Sequence, residues 1–431
     1  MNIDNLPDAL LVEILCRLAC NTLAFQCKSV SKRWFNLIST PYFIGRYLRL
    51  QRDLQTPILT TLVLFDRFRP SEVFLTSEHP VFQTRSRNFS LGFLPCYQDL
   101  EKLAKSMSWP LPIPLQPGSL VPPVVVATYK DLVLCCATTT SQRDYFICNP
   151  FTKQWAALPP NPRVYPGVRV ALICDPYYFS GEEEHISTQS VIPVNAEYLW
   201  KVVRLVPTSS DRKCNFNVDV FSSETREWRE LVVLQSRTFY ECGYSAVAYN
   251  GMLYWYRNDG FKFELDLDLS LSTSGSGDHK IAKCRFIQLP KGLNVQGHSH
   301  LVINGGRLHF CKFVLVAGND DDPDLPAFRV WELKQVVEHQ GKFKWLADRV
   351  SLTSEDENAH LIKSKMCRSF WVVPFPPNNE DIVYLKWRPN IFTCNLRRGK
   401  LEMIEKTEYT GALNRLYPLV FPWWPTPVPT I

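Results

Sequence analysis

The sequence predicts an α+β multidomain chain: a small three-helix head over residues 1–46, a connector over 47–57, a large all-β, propeller-like body over 58–424, and a proline-rich tail over 425–431. Three observations predict it. Aliphatic residues recur every four positions between Leu6 and Leu18, which is the spacing of a helix face. From Ile58 onward, β-branched and aromatic residues gather in runs of strand length. Along the body a unit of strand, strand, turn and tryptophan returns, as it does in repeat architectures.

The head comes first. Pro7 lacks the N–H that a first helical turn leaves unpaired, so the pattern predicts a helix over 7–18, with Asp8 and Glu13 placed to suit its positive end. Leu10, Ile14 and Leu18 form one stripe, and Leu11 and Leu15 widen it beyond what one side of a short helix needs for its own core. Some of that apolar surface is therefore expected to meet a partner. Asn21 or Thr22 can cap a second short helix carrying Leu23 and Phe25. A third helix from about Ser31 presents Val30, Trp34, Leu37 and Ile38 at helical spacing, with Lys32 and Arg33 on the other side, and is expected to stop before Pro41. Three such helices bury too little surface to be very stable alone. A docked partner would complete them; the plainer alternative is a helical cap packed on the chain's own body.

Taken in order, Leu6-Pro7, the four-spaced aliphatics, Val30-Ser31-Lys32-Arg33-Trp34, Leu37-Ile38 and the closing Pro41-Tyr42-Phe43 resemble an F-box. That module attaches substrate receptors to the Skp-type adaptor of cullin-RING ubiquitin ligases. The resemblance covers residues 4–46, with Ala19 standing where the family often has proline. It implies that Leu6, Pro7, Leu10, Ile14 and Leu18 face the adaptor, that Val30, Lys32 and Trp34 complete the contact or its support, and that a cullin is reached through the adaptor.

Composition bounds the rest. With 431 residues, 45% hydrophobic, 13% aromatic and 21% charged, the chain has the makeup of a folded protein with a sizeable core. Its 32 prolines against 18 glycines suit many short connections and edge strands. A net charge of +6 is too weak and dispersed to point to nucleic acid, and the densest basic cluster, Arg397-Arg398 with Lys400, reads as a solvated turn. No run approaches the ~18 apolar residues of a membrane span, and the chain starts with Asp4, Asp8 and Glu13 instead of a basic leader. The expected setting is intracellular, nucleus or cytoplasm. The 14 cysteines fit it, lying mostly in apolar runs as at Cys135, Cys136, Cys148, Cys174 and Cys311, where a reduced cysteine is a small hydrophobe. Cys16 and Cys20 lack a second ligand pair for zinc. Asn88-Phe89-Ser90 has the form of a glycosylation acceptor but means little without a secretory signal.

In the body, strand-like runs begin at 58–65 and 72–75, with a helical interruption possible over 97–106. Two repeat units then match closely: 131–136, 145–149 and a turn leading to Trp155, and 201–205, 218–222 and a turn leading to Trp228. Weaker copies follow at 251–290, 306–345 and 382–404. Units of three or four antiparallel strands at such spacing suggest propeller blades. Five are readable, and residues 58–94 with 417–424 can complete a sixth or seventh. The segments Cys148-Asn149-Pro150-Phe151-Thr152-Lys153-Gln154-Trp155, Ser222-Ser223-Glu224-Thr225 and Val330-Trp331-Glu332-Leu333 resemble the F-box-associated, Kelch-like domain of the large plant F-box family, over roughly 120–410.

Enzymatic signatures are missing. There is no phosphate loop, no His-Glu-x-x-His and no Gly-x-Ser-x-Gly elbow. His298 and His300 would share a strand face as a metal pair, yet no third ligand is evident. Asp266 and Asp268 would share a face as paired carboxylates do, yet nothing marks them as desolvated. The runs Glu182-Glu183-Glu184 and Asp320-Asp321-Asp322 lack calcium-loop spacing, and 270–278 is a Ser/Gly-rich loop tip. The tail Phe421-Pro422-Trp423-Trp424-Pro425 either packs on the body or offers an aromatic anchor to a partner. The expectation is a non-enzymatic receptor without a cofactor. Its head would dock on the adaptor, and its body would hold a target protein through loops. The alternatives are a scaffold outside the ligase and a body that binds a small molecule or glycan.

Overall fold

The computed structural model describes residues 6–18, 21–53, 59–65, 90–92, 124–136, 142–149, 152, 154–165, 168–174, 200–206, 215–234, 242–249, 252–257, 264–268, 281–287, 299–304, 307–317, 324–335, 343–351, 371–373, 382–387, 390–395, 397–398, 400–406, 415–421, 424–426 and 428. The possible helix at 97–106, the acidic runs at 182–184 and 320–322, the 270–278 loop, and Cys20, Asn88, His298 and Trp423 lie outside them.

The head is four helices: α1 (Asp8–Cys16), α2 (Asn21–Cys27), α3 (Lys32–Ile38) and α4 (Pro41–Asp53). Pro7 caps α1 from outside, its carbonyl accepting from the N–H groups of Leu10 and Leu11 at 3.0 Å each. Ser31 caps α3, its hydroxyl accepting from Trp34 N–H at 3.2 Å. The fourth helix departs from the three-helix expectation and runs through much of the stretch read as a connector. As expected, α3 stops before Pro41, and Pro41 is also the first residue of α4, because a proline suits the first turn of a helix as well as it ends one. Thr40 Oγ1 accepts from Phe43 N–H at 3.2 Å and donates to Leu37 O at 2.8 Å, joining the end of α3 to the start of α4.

The body is built of antiparallel sheets. Four strands form each of five successive sheets: β3 (Val124–Tyr129) to β6 (Gln154–Ala157), with β4 (Leu132–Cys136) and β5 (Tyr145–Asn149) between; β7 (Arg169–Cys174), β8 (Trp200–Val206), β9 (Asn215–Ser222) and β10 (Glu227–Leu234); β11 (Cys242–Tyr249), β12 (Met252–Arg257), β13 (Glu264–Asp268) and β14 (Ile281–Ile287); β15 (Ser299–Asn304), β16 (Arg307–Ala317), β17 (Asp324–Gln335) and β18 (Phe343–Ser351); and β19 (Trp371–Val373), β20 (Ile382–Trp387), β21 (Asn390–Asn395) and β22 (Lys400–Lys406). A short parallel bridge, Val232 to Ile281 and Val233 to Ala282, links β10 to β14. A sixth sheet combines β1 (Leu59–Phe65) and β2 (Ser90–Gly92) with β23 (Arg415–Phe421) from the far end of the chain. The first strands β3, β7, β11, β15 and β19 follow one another side by side, and β23 lies beside β3.

Burial explains why the strands read as near-continuous apolar runs. Alternate residues of one strand serve two different cores. On β7, Val170, Leu172 and Cys174 pack toward the first sheet with Leu134, Ile147 and Phe221, whereas Ala171 and Ile173 pack toward the third with Leu231, Leu253 and Trp255. Tyr254, Leu308 and Leu333 join the third sheet to the fourth. Asn149, Ser222 and Asn395 occupy one position, the end of a third strand before a four-residue turn, and pair with Gln154, Glu227 and Lys400. The Asn149 and Asn395 side chains each accept an N–H three residues on, from Thr152 and Arg398. In the middle copy Arg226 takes the left-handed φ of 57°.

Candidate functional site

The packing of the head sorts its wide apolar stripe into two sides. Leu11, Val12, Leu15 and Cys16 of α1 are buried against Ala24, Trp34, Ile38, Phe43, Tyr47 and Leu48. One position away, Leu10 and Ile14 remain 53% and 45% exposed. Leu6 and Leu18 are half-buried and Pro7 is exposed. Val30 and Phe35 are 59% and 53% exposed, and Lys32 is exposed too. Trp34 differs from this set: it is only 7% exposed and fills the core between α1 and α4. Phe35 and Tyr42, the latter 67% exposed, belong to the same class of uncovered apolar side chains. Phe35 sits one residue past the buried Trp34, and that adjacency was its only sequence signal.

Charge holds the helices around this surface. Arg33 of α3 donates from Nε and from a terminal nitrogen to Asp8 Oδ1 of α1, at 2.8 and 2.6 Å, and reaches Leu6 O. Glu13 takes Arg17 on its own helix at 2.6 Å and Arg46 from α4. Burial pushes the Cys16 thiol up to about 11, with the charges of Arg46, Glu13 and Arg17 as smaller influences, so it stays protonated against Phe43 O.

The tail packs on the head. Trp424 is 3% exposed and meets Phe43 and Tyr47 edge-on, with ring centroids 5.9 and 5.5 Å apart, while the Lys28 ammonium lies over its ring at 5.4 Å. Two residues on, Thr426 donates from its N–H and hydroxyl to the Asp131 carboxylate at 2.7 and 2.5 Å, and Asn149 Nδ2 donates to Asp131 Oδ2 at 2.7 Å. Complete burial raises Asp131 to about 6, and these hydrogen bonds restrain the rise.

Among the described residues, no group of three His, Cys, Asp or Glu side chains is placed to hold a metal ion. His300 lies on β15 opposite Cys311. Asp266 and Asp268 stand in register with Arg285 and Lys283 of β14. Cys135, Cys136, Cys148, Cys174 and Cys311 are buried free thiols, and burial raises Cys311 well above its usual value. Arg397 and Arg398 are exposed in the turn before β22. Among the described residues no helix is long and apolar enough to cross a membrane.

Comparison with known proteins addresses both parts. A profile of the F-box domain matches residues 3–44, and a profile described as "F-box protein At3g26010-like, beta-propeller" matches residues 90–416, more than half of the chain. The chain belongs to this F-box, beta-propeller family. The head is thus an F-box, and the sheets form a body consistent with a propeller. Two relatives from Arabidopsis thaliana are F-box protein At5g49610, 27% identical over 58% of this chain and 57% of its own, and F-box protein At5g07610, 26% identical over 58% and 51%. The match thus spans little more than half the length of those relatives. A putative F-box/kelch-repeat protein, At1g15680 of the same plant, is 19% identical over 88% of this chain and 78% of its own. Of solved structures, an arabinobiose complex of the GH93 alpha-L-arabinofuranosidase of Fusarium graminearum covers 65% of this chain and 79% of its own at 10% identity, with a TM-score of 0.33, too low to carry an argument.

Proposed function

We propose that the chain is the substrate-recognition subunit of a Skp-cullin-F-box ubiquitin ligase. The observation that carries this reading is the sorted stripe of α1: Leu11 and Leu15 fill the F-box core while Leu10 and Ile14 stay about half exposed beside it. Leu6, Pro7, Leu10, Ile14 and Leu18, with Val30 and Lys32, form the adaptor contact, and Trp34 supports it from inside. An apolar helix surface of this kind suits an apolar groove. The body is a closed, Kelch-like propeller whose loops hold a target protein in the nucleus or cytoplasm. It performs no chemistry itself: holding the target and a ubiquitin-charged enzyme in one assembly raises their effective concentration, and other subunits react.

The test is capture of the adaptor and cullin by the full chain and by Leu10→Arg with Ile14→Arg. Each aliphatic would bury the exposed half of its side chain, contributing about 1 kcal/mol, and a guanidinium in its place adds desolvation of several kcal/mol, so binding falls at least ~100-fold. Both changes sit on exposed positions, so the helical circular dichroism should be unchanged. Failure of the folded wild-type chain to capture any of several adaptor family members would sink the reading.

A further inference from the structure

The pairing of β1 with β23 dictates where the tail starts. Leu59, the first residue of β1, stands opposite Phe421, the last of β23. The tail therefore leaves the body beside the point where the chain enters it from α4. Trp424 lies three residues beyond Phe421, a reach of at most about 10 Å, and Thr426 lies two further, at most about 7 Å. Within that span one end is buried in the F-box and the other in the first sheet.

The two ends are held differently. On the F-box side the hold is apolar and aromatic, with Trp424 on Phe43 and Tyr47 and under Lys28. On the body side it is polar: Thr426 on Asp131, Asn149 Nδ2 on Thr426 O at 2.5 Å, and Val428 N–H on Gln154 Oε1 at 3.3 Å, with the Val428 side chain in the core of the first two sheets. Asp131 lies in the β3–β4 turn and Asn149 at the end of β5, so the anchor is built on the strand ends of the first sheet. Pro425, itself buried, has a fixed φ, which leaves the bridging segment less freedom.

We propose that residues 424–428 are a two-ended tie that fixes the orientation of the F-box relative to the body. The tie itself is independent of adaptor docking. Its use, setting the distance from a held target to the charged enzyme, rests on the function proposed above. Trp424, Thr426 and Asp131 are positioning residues in this scheme.

The experiment uses the full chain, with a donor and an acceptor dye on genetically encoded groups at the exposed positions Gln26 and Glu224, read by single-molecule energy transfer without adaptor. The wild type should give one narrow distribution. Trp424→Ala should broaden and shift it by releasing the F-box end. Thr426→Val with Asp131→Asn should do the same from the other end, without touching the F-box core. Adaptor capture by this second variant should stay within about threefold of wild type, because an orienting contact carries little of the binding energy. An unchanged narrow distribution in the second variant overturns the proposal, even if Trp424→Ala alone broadens it by loosening the F-box. Loss of adaptor capture by the wild type would instead overturn the ligase reading and leave the tie standing.

Discussion

Removing the Asp219 carboxylate tests how the first two sheets are locked together. Arg204 of β8 is fully buried and pairs with Asp219 of β9 at 3.1 Å. Its guanidinium also donates across the sheet boundary to Gln142 O at 3.0 Å and Arg163 O at 3.3 Å, and lies 5.7 and 5.6 Å from the ring centres of Tyr145 and Trp228. Burial raises the Asp219 carboxyl, and Arg204 and then Arg163 pull it back. In Asp219→Ala the guanidinium keeps its carbonyls and ring faces but loses its counter-charge, a change that costs about 3–5 kcal/mol when a buried pair is broken from one side. The remaining partners favour the lower end. Asn161 Nδ2, which donates to Asp219 at 3.3 Å, loses its acceptor and adds about 1 kcal/mol. The sum is about 4 kcal/mol, which at a urea slope near 3 kcal/mol/M moves the midpoint down by about 1.3 M. Urea titration followed by tryptophan fluorescence reads it. Arg204→Met with Asp219→Leu leaves no unpaired charge and should be less destabilised than the single variant, although Gln142 O, Arg163 O and Asn161 lose their partners. A single variant within about 0.2 M of wild type, or a double variant worse than the single, would refute the reasoning.

Three other outcomes are expected. Trp34→Ala opens a large cavity in the F-box and should cost about 3–5 kcal/mol, so adaptor capture and the helical dichroism fall together, whereas Leu10→Arg loses capture alone; separate behaviour of the two signals in Trp34→Ala would contradict its buried place. Arg226→Gly relieves a left-handed φ of 57° and should raise the midpoint by an amount equal to about 0.5 kcal/mol, the relief of strain less the added freedom of the unfolded chain; a lower midpoint counts against it. Asp131 is held at about 6 in the folded chain against an ordinary 3.8, so between those values the folded state binds more protons and its stability falls as pH rises. Acidifying from pH 7 to 5 should add about 1.3 kcal/mol through this group, an increment missing in Asp131→Asn; urea midpoints of both chains at the two pH values measure it, and an equal response refutes it.

What the sequence made legible was local. The four-residue spacing marked α1, Ser31 marked the start of α3, and strand runs leading to a turn and tryptophan marked the second, third and fourth strands of the sheets. The first strands β3, β7, β11, β15 and β19 were not marked, because each precedes the strand, strand, turn and tryptophan signature and carries no part of it. Pro41 marked the end of α3 but not the start of α4 for a physical reason: a proline is compatible with both the end of one helix and the first turn of the next, and here Thr40, hydrogen-bonded to both sides, joins the two. Nor could spacing say which half of the wide stripe on α1 faces inward. Leu10 and Leu11 are equally apolar, and the choice was made by Phe43 and Tyr47 of the helix that had not been expected.

The same helix resolves an opposition drawn from the sequence, between a head completed by a partner and a cap packed on its own body. The packing of Trp424 gives the second on one side of the F-box, and the function proposed above supplies the first on another. Its inner side is closed by Trp424, which sits nearly 400 residues along the chain from Phe43 and had no local signature that could reveal its partner. Away from that packing, Leu10, Ile14 and Val30 stay about half exposed to solvent. A small helical unit is marginal when it relies on its own core. Completion from within by the tail therefore lets it hold an apolar surface open before any partner arrives, because the surface left exposed is not the surface its stability depends on.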